Sequence, residues 1–299
     1  MSIESLDVEA AGAARARIAR APLHSVRHQR ADGLALLHVA RDADGSSRVR
    51  DLFQRSPCRL LFPDSPPGEP LQAVLLTTSG GLTGGDRVRV HLRVDAGARV
   101  TVATQAAEKF YRSLPGTQVQ SQVDVEVAAG AWAEWLAQET ILFNQACLRR
   151  SFAADLAADA RLLVAETVVF GRTAMGESFR SGLLHDGWRI RRGGRLVWAD
   201  ALHLSGAAEE QRRLPFGFGT AVAYSTVLYV GTEAPQLLEP VRALLPAGSG
   251  TATALNELLL VRLLCDDAAA ARATVIHVAG LIRVRAGGAD GALPRVWHC

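Results

Sequence analysis

Lysine is all but missing from this chain: Lys109 is the only one in 299 residues, and every other basic side chain is arginine. The 33 basic and 30 acidic residues leave a formal net charge of +3, spread along the chain, so there is no basic stripe of the kind that binds nucleic acid. Cysteine is scarce too. Cys58, Cys147, Cys265 and Cys299 lie far apart with no CxxC spacing, which argues against a zinc knuckle or a disulfide framework and fits a reducing compartment. No stretch approaches the roughly 18 consecutive apolar residues of a membrane-spanning helix. Residues 1–22 carry Glu4, Asp7 and Glu9 and no continuous apolar segment, unlike a secretory signal. Together these absences point to the cytoplasm, with no membrane and no nucleic acid as partner.

What the chain does have is apolar substance. With 48% hydrophobic residues it can bury a sizeable core, and disorder over most of its length is excluded. "DRVRVHLRV" (86–94) sets Val88, Val90, Leu92 and Val94 against Arg87, Arg89, His91 and Arg93, a strand with one face in water. Residues 118–127 alternate in the same way. Further strand-like runs occupy 33–40, 58–62, 73–78, 99–104, 161–170, 187–192, 195–200 and 221–230. "DAGAR" (95–99), "AAGAW" (128–132) and "AADAR" (157–161) each join one such run to the next. Gly97, Gly130 and Asp159 are expected at the positive-φ position of a tight turn.

The last quarter differs. Residues 233–246 space Leu237, Leu238, Val241, Leu244 and Leu245 as a helix would, between Pro235 and Pro246. Residues 257–264 read as a buried strand. Residues 266–285 carry acids at the start and arginines at the end, matching the helix dipole. The expected architecture is mainly β, with stacked β-sheets in a β-helix-like winding and a small two-helix part near the C-terminus. Its expected organisation is a flexible tail over 1–20 and one domain over 21–299, β-rich to 231 and helical in part from 232.

"SGGLTGGD" (79–86) raises the question of a phosphate loop. No Gly-Lys-Ser/Thr follows it, and an alternating strand stands where a helix should begin, which excludes both the nucleotide-hydrolase loop and the dinucleotide fingerprint. Gly80, Gly81, Gly84, Gly85 and Asp86 therefore read first as a structural turn, closed by the Asp86 carboxylate. The eight histidines contain no HExxH pair. Residues 223–227 lack the Gly-x-Ser-x-Gly elbow of a nucleophilic serine.

Taken with "TQAAEKFYRS" (104–113), "WLAQETILF" (135–143), "FGRTAMGE" (170–177) and "LPRVW" (293–297), the glycine segment resembles the urease accessory protein UreD (UreH) family, in that family's motif order from about residue 55 onward. The resemblance implies a mostly β fold and a cytoplasmic, non-enzymatic maturation factor. Such a factor binds apo-urease, recruits the UreF and UreG proteins and assists GTP-dependent nickel delivery, with GTP hydrolysis belonging to UreG. It also implies no tightly bound cofactor, only nickel(II) in transit through a water-filled passage and weakly bound. Self-association as a homo-oligomer is left open.

A site that must release nickel should not be a closed, strongly donating cage, so sparse carboxylates suit it. The candidates are Glu139 and Glu166, each within a strand-like run, and Glu177. The simpler reading puts Glu139 and Glu166 on solvated strand faces and pairs Glu177 with Arg172 across a turn. Lys109, Tyr111 and Arg112 form a candidate partner-binding cluster, with ordinary packing as the alternative. Trp132 and Trp135 read as core. His298 and Cys299 lie beyond the "PRVW" ending as a pair able to bind metal or as a plain polar tail. Two rivals remain: a catalytic or small-molecule-binding β-protein using Asp86, Glu139 and Glu166, and a scaffold that never touches nickel.

Overall fold

Alternation along the strands builds a two-sheet winding, seen in a computed structural model that describes residues 29–298. The expected tail at 1–20 and Cys299 lie outside the described residues. In chain order the strands are β1 (Asp32–Arg41), β2 (Ser47–Arg55), β3 (Cys58–Leu61), β4 (Leu71–Thr77), β5 (Arg87–Val94), β6 (Arg99–Thr104), β7 (Glu108–Phe110), β8 (Val119–Val127) and β9 (Trp132–Leu136). They continue as β10 (Thr140–Leu142), β11 (Cys147–Leu156), β12 (Arg161–Phe170), β13 (Gly182–Arg192), β14 (Arg195–Gly206), β15 (Ala223–Val230), β16 (Gly250–Leu255) and β17 (Leu258–Cys265). Among the described residues three α-helices interrupt them: α1 (Ala208–Arg212), α2 (Ala234–Arg242) and α3 (Ala268–Ile282).

The winding is carried by three repeats in which a strand of one sheet turns into a strand of the other: β5 to β6, β8 to β9 and β11 to β12. Successive copies pair in parallel, β5 with β8 and β8 with β11 in the first sheet, β6 with β9 and β9 with β12 in the second. The first sheet runs β14-β13-β11-β8-β5-β1-β2 and the second β16-β17-β15-β12-β9-β6-β4-β3. The short strands β7 and β10 form a third side, pairing with each other and with the end of β12. The coils resemble those of a β-solenoid.

The turns that join the sheets stack on one another. Ala98, Ala131 and Ala160 each donate a backbone N–H to the residue three before, and Gly97 N–H reaches the next turn at Ala129 O, 2.9 Å away. Gly97 and Gly130 take φ values of 67° and 64°, as a type II turn demands of its third residue. Asp159 corrects the expectation placed on it, because it is not among the positive-φ residues. A Cβ makes that conformation costly, and a type I turn closes the same span without it.

The second sheet is buried on both faces. Toward the first sheet it packs Val102, Trp135, Val164 and Phe170, and toward the helices Trp132, Leu136, Leu163 and Val169. Strand β12 accordingly reads as an almost unbroken apolar run. Asp267 caps α3 by accepting the N–H groups of Ala269 and Ala270, which accounts for the acids at that end. Of the arginines at its other end, Arg283 is buried with 1% of its surface exposed. It pairs with Glu69 and Glu134.

Strands β2, β7, β9, β11 and β16 were not among the runs expected from sequence. In β11 the reason is instructive: Leu148, Arg150, Phe152, Ala154 and Leu156 all face inward, and an arginine at the second of these positions breaks the apolar pattern. Glu139 is also displaced from its expected place. It stands in the connection between β9 and β10 rather than inside a strand.

Candidate functional site

The glycine segment folds as a brace for strand β7. Leu82 N–H donates to Lys109 O at 2.8 Å and Tyr111 N–H to Leu82 O at 2.7 Å. Both Asp86 oxygens are engaged, Oδ1 by the N–H of Ala31 at 2.9 Å and Oδ2 by the N–H of Thr83 at 2.8 Å. Gly81, at φ 141°, lets the Tyr111 ring lie where a Cβ would be 2.5 Å from it. Gly80, at φ 67°, faces open space and accepts the Tyr111 hydroxyl proton at 2.7 Å. The two positions should therefore respond differently to alanine. Gly80→Ala is expected to cost about 1–2 kcal/mol of backbone strain alone. Gly81→Ala adds a clash with a packed ring and is expected to cost about 3 kcal/mol or more, measured by urea unfolding.

Behind this brace, between the two sheets, lies a cavity of about 240 Å3. Its walls are largely apolar, Leu82, Val90, Val123 and Trp135 among them, but Glu108, Lys109, Arg150 and Glu166 also line it. Glu108 accepts the Thr77 hydroxyl proton, and burial pushes its carboxyl group up from the usual range. Lys109 is exposed.

Glu166 belongs to a buried ionic cluster. Its Oε1 accepts the Trp135 indole N–H at 2.9 Å, and its Oε2 pairs with the Arg150 guanidinium. Arg150 Nε donates to Asp186 Oδ1 at 3.0 Å, Nη2 bonds Asp186 Oδ2, and Nη1 donates to Thr140 Oγ1 at 3.0 Å. The Trp188 indole N–H reaches Asp186 Oδ1 at 3.2 Å. Trp135, Phe152 and Trp188 pack in sequence, with ring centroids 6.4 and 5.2 Å apart. One guanidinium thus faces two carboxylates, with about 5% of either carboxylate side chain exposed. Burial holds the Glu166 carboxyl above its ordinary range, and the Asp186 carboxylate reinforces this against Arg150. The pair of acids keeps Arg150 firmly protonated.

The solvated-face reading of Glu166 is thereby corrected: the outward positions of β12 pack on the helices, and no face of that strand meets water. The structure does not bring the three carboxylate candidates together. Glu139 bonds Arg272 Nη1 through both oxygens, at 2.9 and 3.0 Å. Glu177 pairs with Arg172 across the turn and accepts the Asn144 N–H at 3.1 Å. Among the described residues no three His, Cys, Asp or Glu side chains are grouped to hold a metal ion. Within the other cluster, Tyr111 serves the glycine brace and meets Phe143 edge-on at 4.8 Å, while Lys109 and Arg112 are exposed. His298 is exposed in the closing 3-10 turn Arg295–His298.

Several motifs quoted from the sequence converge on one corner. Gln138 Nε2 donates to Thr104 O, Gln105 O and Val296 O, Glu108 N–H to Glu139 O, and Arg272 Nη2 to Trp297 O at 2.8 Å. The "TQAAEK", "WLAQET" and "LPRVW" segments are thus joined through Arg272 of α3.

Residues 31–298 match the UreD urease accessory protein family. The chain belongs to that family. Its role is accessory to urease and not catalytic. The urease accessory protein UreD of Magnetococcus marinus is 41% identical over 260 residues, 85% of this chain and 89% of that protein. UreD of Rhizobium leguminosarum bv. viciae is 40% identical over 275 residues, covering 92% and 97%. UreD 2 of Methylorubrum populi is 41% identical over 291 residues, covering 95% and 96%. In this UreD-family chain no helix among the described residues is long and apolar enough to cross a membrane.

Sequence reasoning missed Arg150 and Asp186, the partners of Glu166. A signal was present, because both occupy inward positions of alternating strands, Arg150 between Leu148 and Phe152 and Asp186 between Leu184 and Trp188. A charged side chain on an apolar face demands a buried counter-charge. Glu108 and Glu134 were missed for another reason: their segments carry no clear alternation.

Proposed function

We propose that this chain matures urease by binding apo-urease together with the UreF and UreG proteins in the cytoplasm, and by handing nickel(II) on through its interior while UreG hydrolyses GTP. The observation that carries this reading is the cavity lined by Glu108 and Glu166, which meets a cluster holding two carboxylates and one guanidinium. An excess of one negative charge in a low-dielectric interior attracts a dication. Carboxylates already committed to Trp135, Arg150 and Thr77 offer it few free donors, which favours release over capture. Glu139 is held by the partly buried Arg272 and Glu177 by the exposed Arg172, and both are secondary in this scheme. Asp86 is spent on backbone N–H groups and does not line the cavity with Glu166, which leaves the acid/base alternative without a shared site.

The test is urease nickel content when the accessory proteins and urease are produced together. Glu166→Gln keeps the shape and the acceptor for Trp135 but removes the charge, and is expected to lower nickel per urease active site by about tenfold, the scale of a lost charged interaction. Glu139→Gln and Glu177→Gln are expected to change it less than twofold. Unchanged nickel content in a Glu166→Gln chain that still co-purifies with UreF would rule the conduit out. Failure of the wild-type chain to associate with UreF or apo-urease at micromolar concentration would rule out the docking role.

A further inference from the structure

Arg212 ends the short helix α1 with only 4% of its surface exposed, yet no acceptor among the described residues bonds its guanidinium. Its Cζ lies over the Phe170 ring, 4.4 Å from the centroid, with Nε and Nη1 buried and unbonded among the described residues. Nη2 is not one of that buried, unbonded pair and has no acceptor among the described residues, so it is the nitrogen left to donate to an incoming group. Glu209, in the same helix, is already bonded to the next arginine, Arg213, at 2.9 Å. Burial pushes the Arg212 pKa down, against the opposing pull of the Glu209 carboxylate. A buried charge with no partner is costly in the free protein.

The segment after Arg212 presents apolar side chains and holds them there. The N–H groups of Phe218 and Gly219 fold back onto Arg212 O at 2.7 and 2.9 Å, and Gly217 N–H bonds Leu214 O at 2.9 Å. This leaves Phe216 at φ 63°, a conformation that a bulky residue adopts only when its surroundings impose it. Its ring is fully exposed, and Leu214 is 60% exposed. Met175, 74% exposed, sits in the turn that follows Phe170. Arg180 O accepts Glu209 N–H at 3.0 Å, which ties that same turn region to α1.

We propose that the Arg212–Phe216 segment is a docking site for a protein segment that presents an aspartate or glutamate beside large apolar residues. The carboxylate bonds Arg212 Nη2, and the apolar side chains cover Phe216 and Leu214. Charge complementarity selects this occupant: an apolar segment alone would bury the cation further without a partner, and a basic one would repel it. A rigid exposed aromatic beside an arginine is the composition of an interface anchor. The proposal rests on the docking role above only in taking apo-urease and UreF as the probes.

The experiment measures the affinity of immobilised full-length chain for apo-urease and for UreF, each alone. Arg212→Gln and Phe216→Ser are each expected to weaken the same probe at least tenfold, while Arg213→Gln, next in sequence but paired with Glu209, stays within twofold. Cross-linking from position 216 should then fall within a few residues of an acid on that probe. If Arg212→Gln fails to fold, Phe216→Ser at a fully exposed position still decides whether the segment docks, and the cross-link decides whether an acid is there. Wild-type affinity in both variants overturns the proposal and leaves the docking role standing, as does a cross-linked segment without an acid. No binding by the wild-type chain overturns both.

Discussion

Arg150→Met is expected to lower the unfolding free energy by about 3–5 kcal/mol, the range for removing one partner of a buried ion pair. The large figure follows from what is left behind. Glu166 and Asp186 would face each other across an apolar gap, with only the indole N–H groups of Trp135 and Trp188 to satisfy them. Two carboxylates in one dry site cannot both stay ionised, so protons must be taken up on folding. The loss should therefore shrink as pH falls. A carboxyl group whose folded pKa exceeds its unfolded one binds protons more tightly when folded, so stability is greatest below the unfolded value and declines as pH rises through the window between the two. In the wild-type chain burial already raises Glu166 in this sense. Urea unfolding from pH 4 to pH 7 should show wild type losing stability relative to Glu166→Gln, and Arg150→Met losing it more steeply. A pH-independent deficit in Arg150→Met would mean that the arginine matters through its packing alone.

Much of the winding was legible because the first sheet keeps one face in water. In β5 an apolar residue alternates with a charged or polar one over the full strand, and in β8 the same alternation is broken only at Ser121, and the glycine turns between coils carry their own signal in Gly97 and Gly130. The second sheet was harder to read because helices cover its outer face. Residues 132–136 are buried without exception, so "WAEWL" shows no period at all, and Glu134 within it gives no hint of which side it faces. The candidate site was legible in part for the same reason. Glu166 stands out in an apolar run, whereas its partners come from strands 16 and 20 residues away in sequence, and long-range pairing of this kind is set by how the coils stack. Glu139 and Glu177 misled because a carboxylate in a conspicuous motif looks the same in sequence whether it faces a cavity or an arginine.

Arg283→Met carries the other large expected loss, again about 3–5 kcal/mol, but on the opposite face of the second sheet. Glu134 is fully buried. It accepts Thr101 Oγ1–H at 2.6 Å and Trp132 Nε1–H at 2.8 Å, with Arg283 Nη1 3.3 Å from Oε2. Burial nonetheless pushes its carboxyl group upward. Arg283 also donates Nη2 to Glu69 at 2.7 Å, and Glu69 in turn holds the N–H of Asp290 at 2.7 Å. The arginine therefore joins the sheet, the loop before β4 and the segment after α3. Two explanations of the loss are separable. If it is the uncompensated charge on Glu134, the double variant Glu134→Gln/Arg283→Met should recover at least about 2 kcal/mol, a coupling of the size seen between contacting residues, because a neutral amide keeps its two hydrogen-bond partners without needing a cation. If instead the arginine acts by fastening the C-terminal segment, the double variant stays as unstable as the single one. Residues 284–298 would then become open to protease in both, since the Glu69 bridge is lost in each.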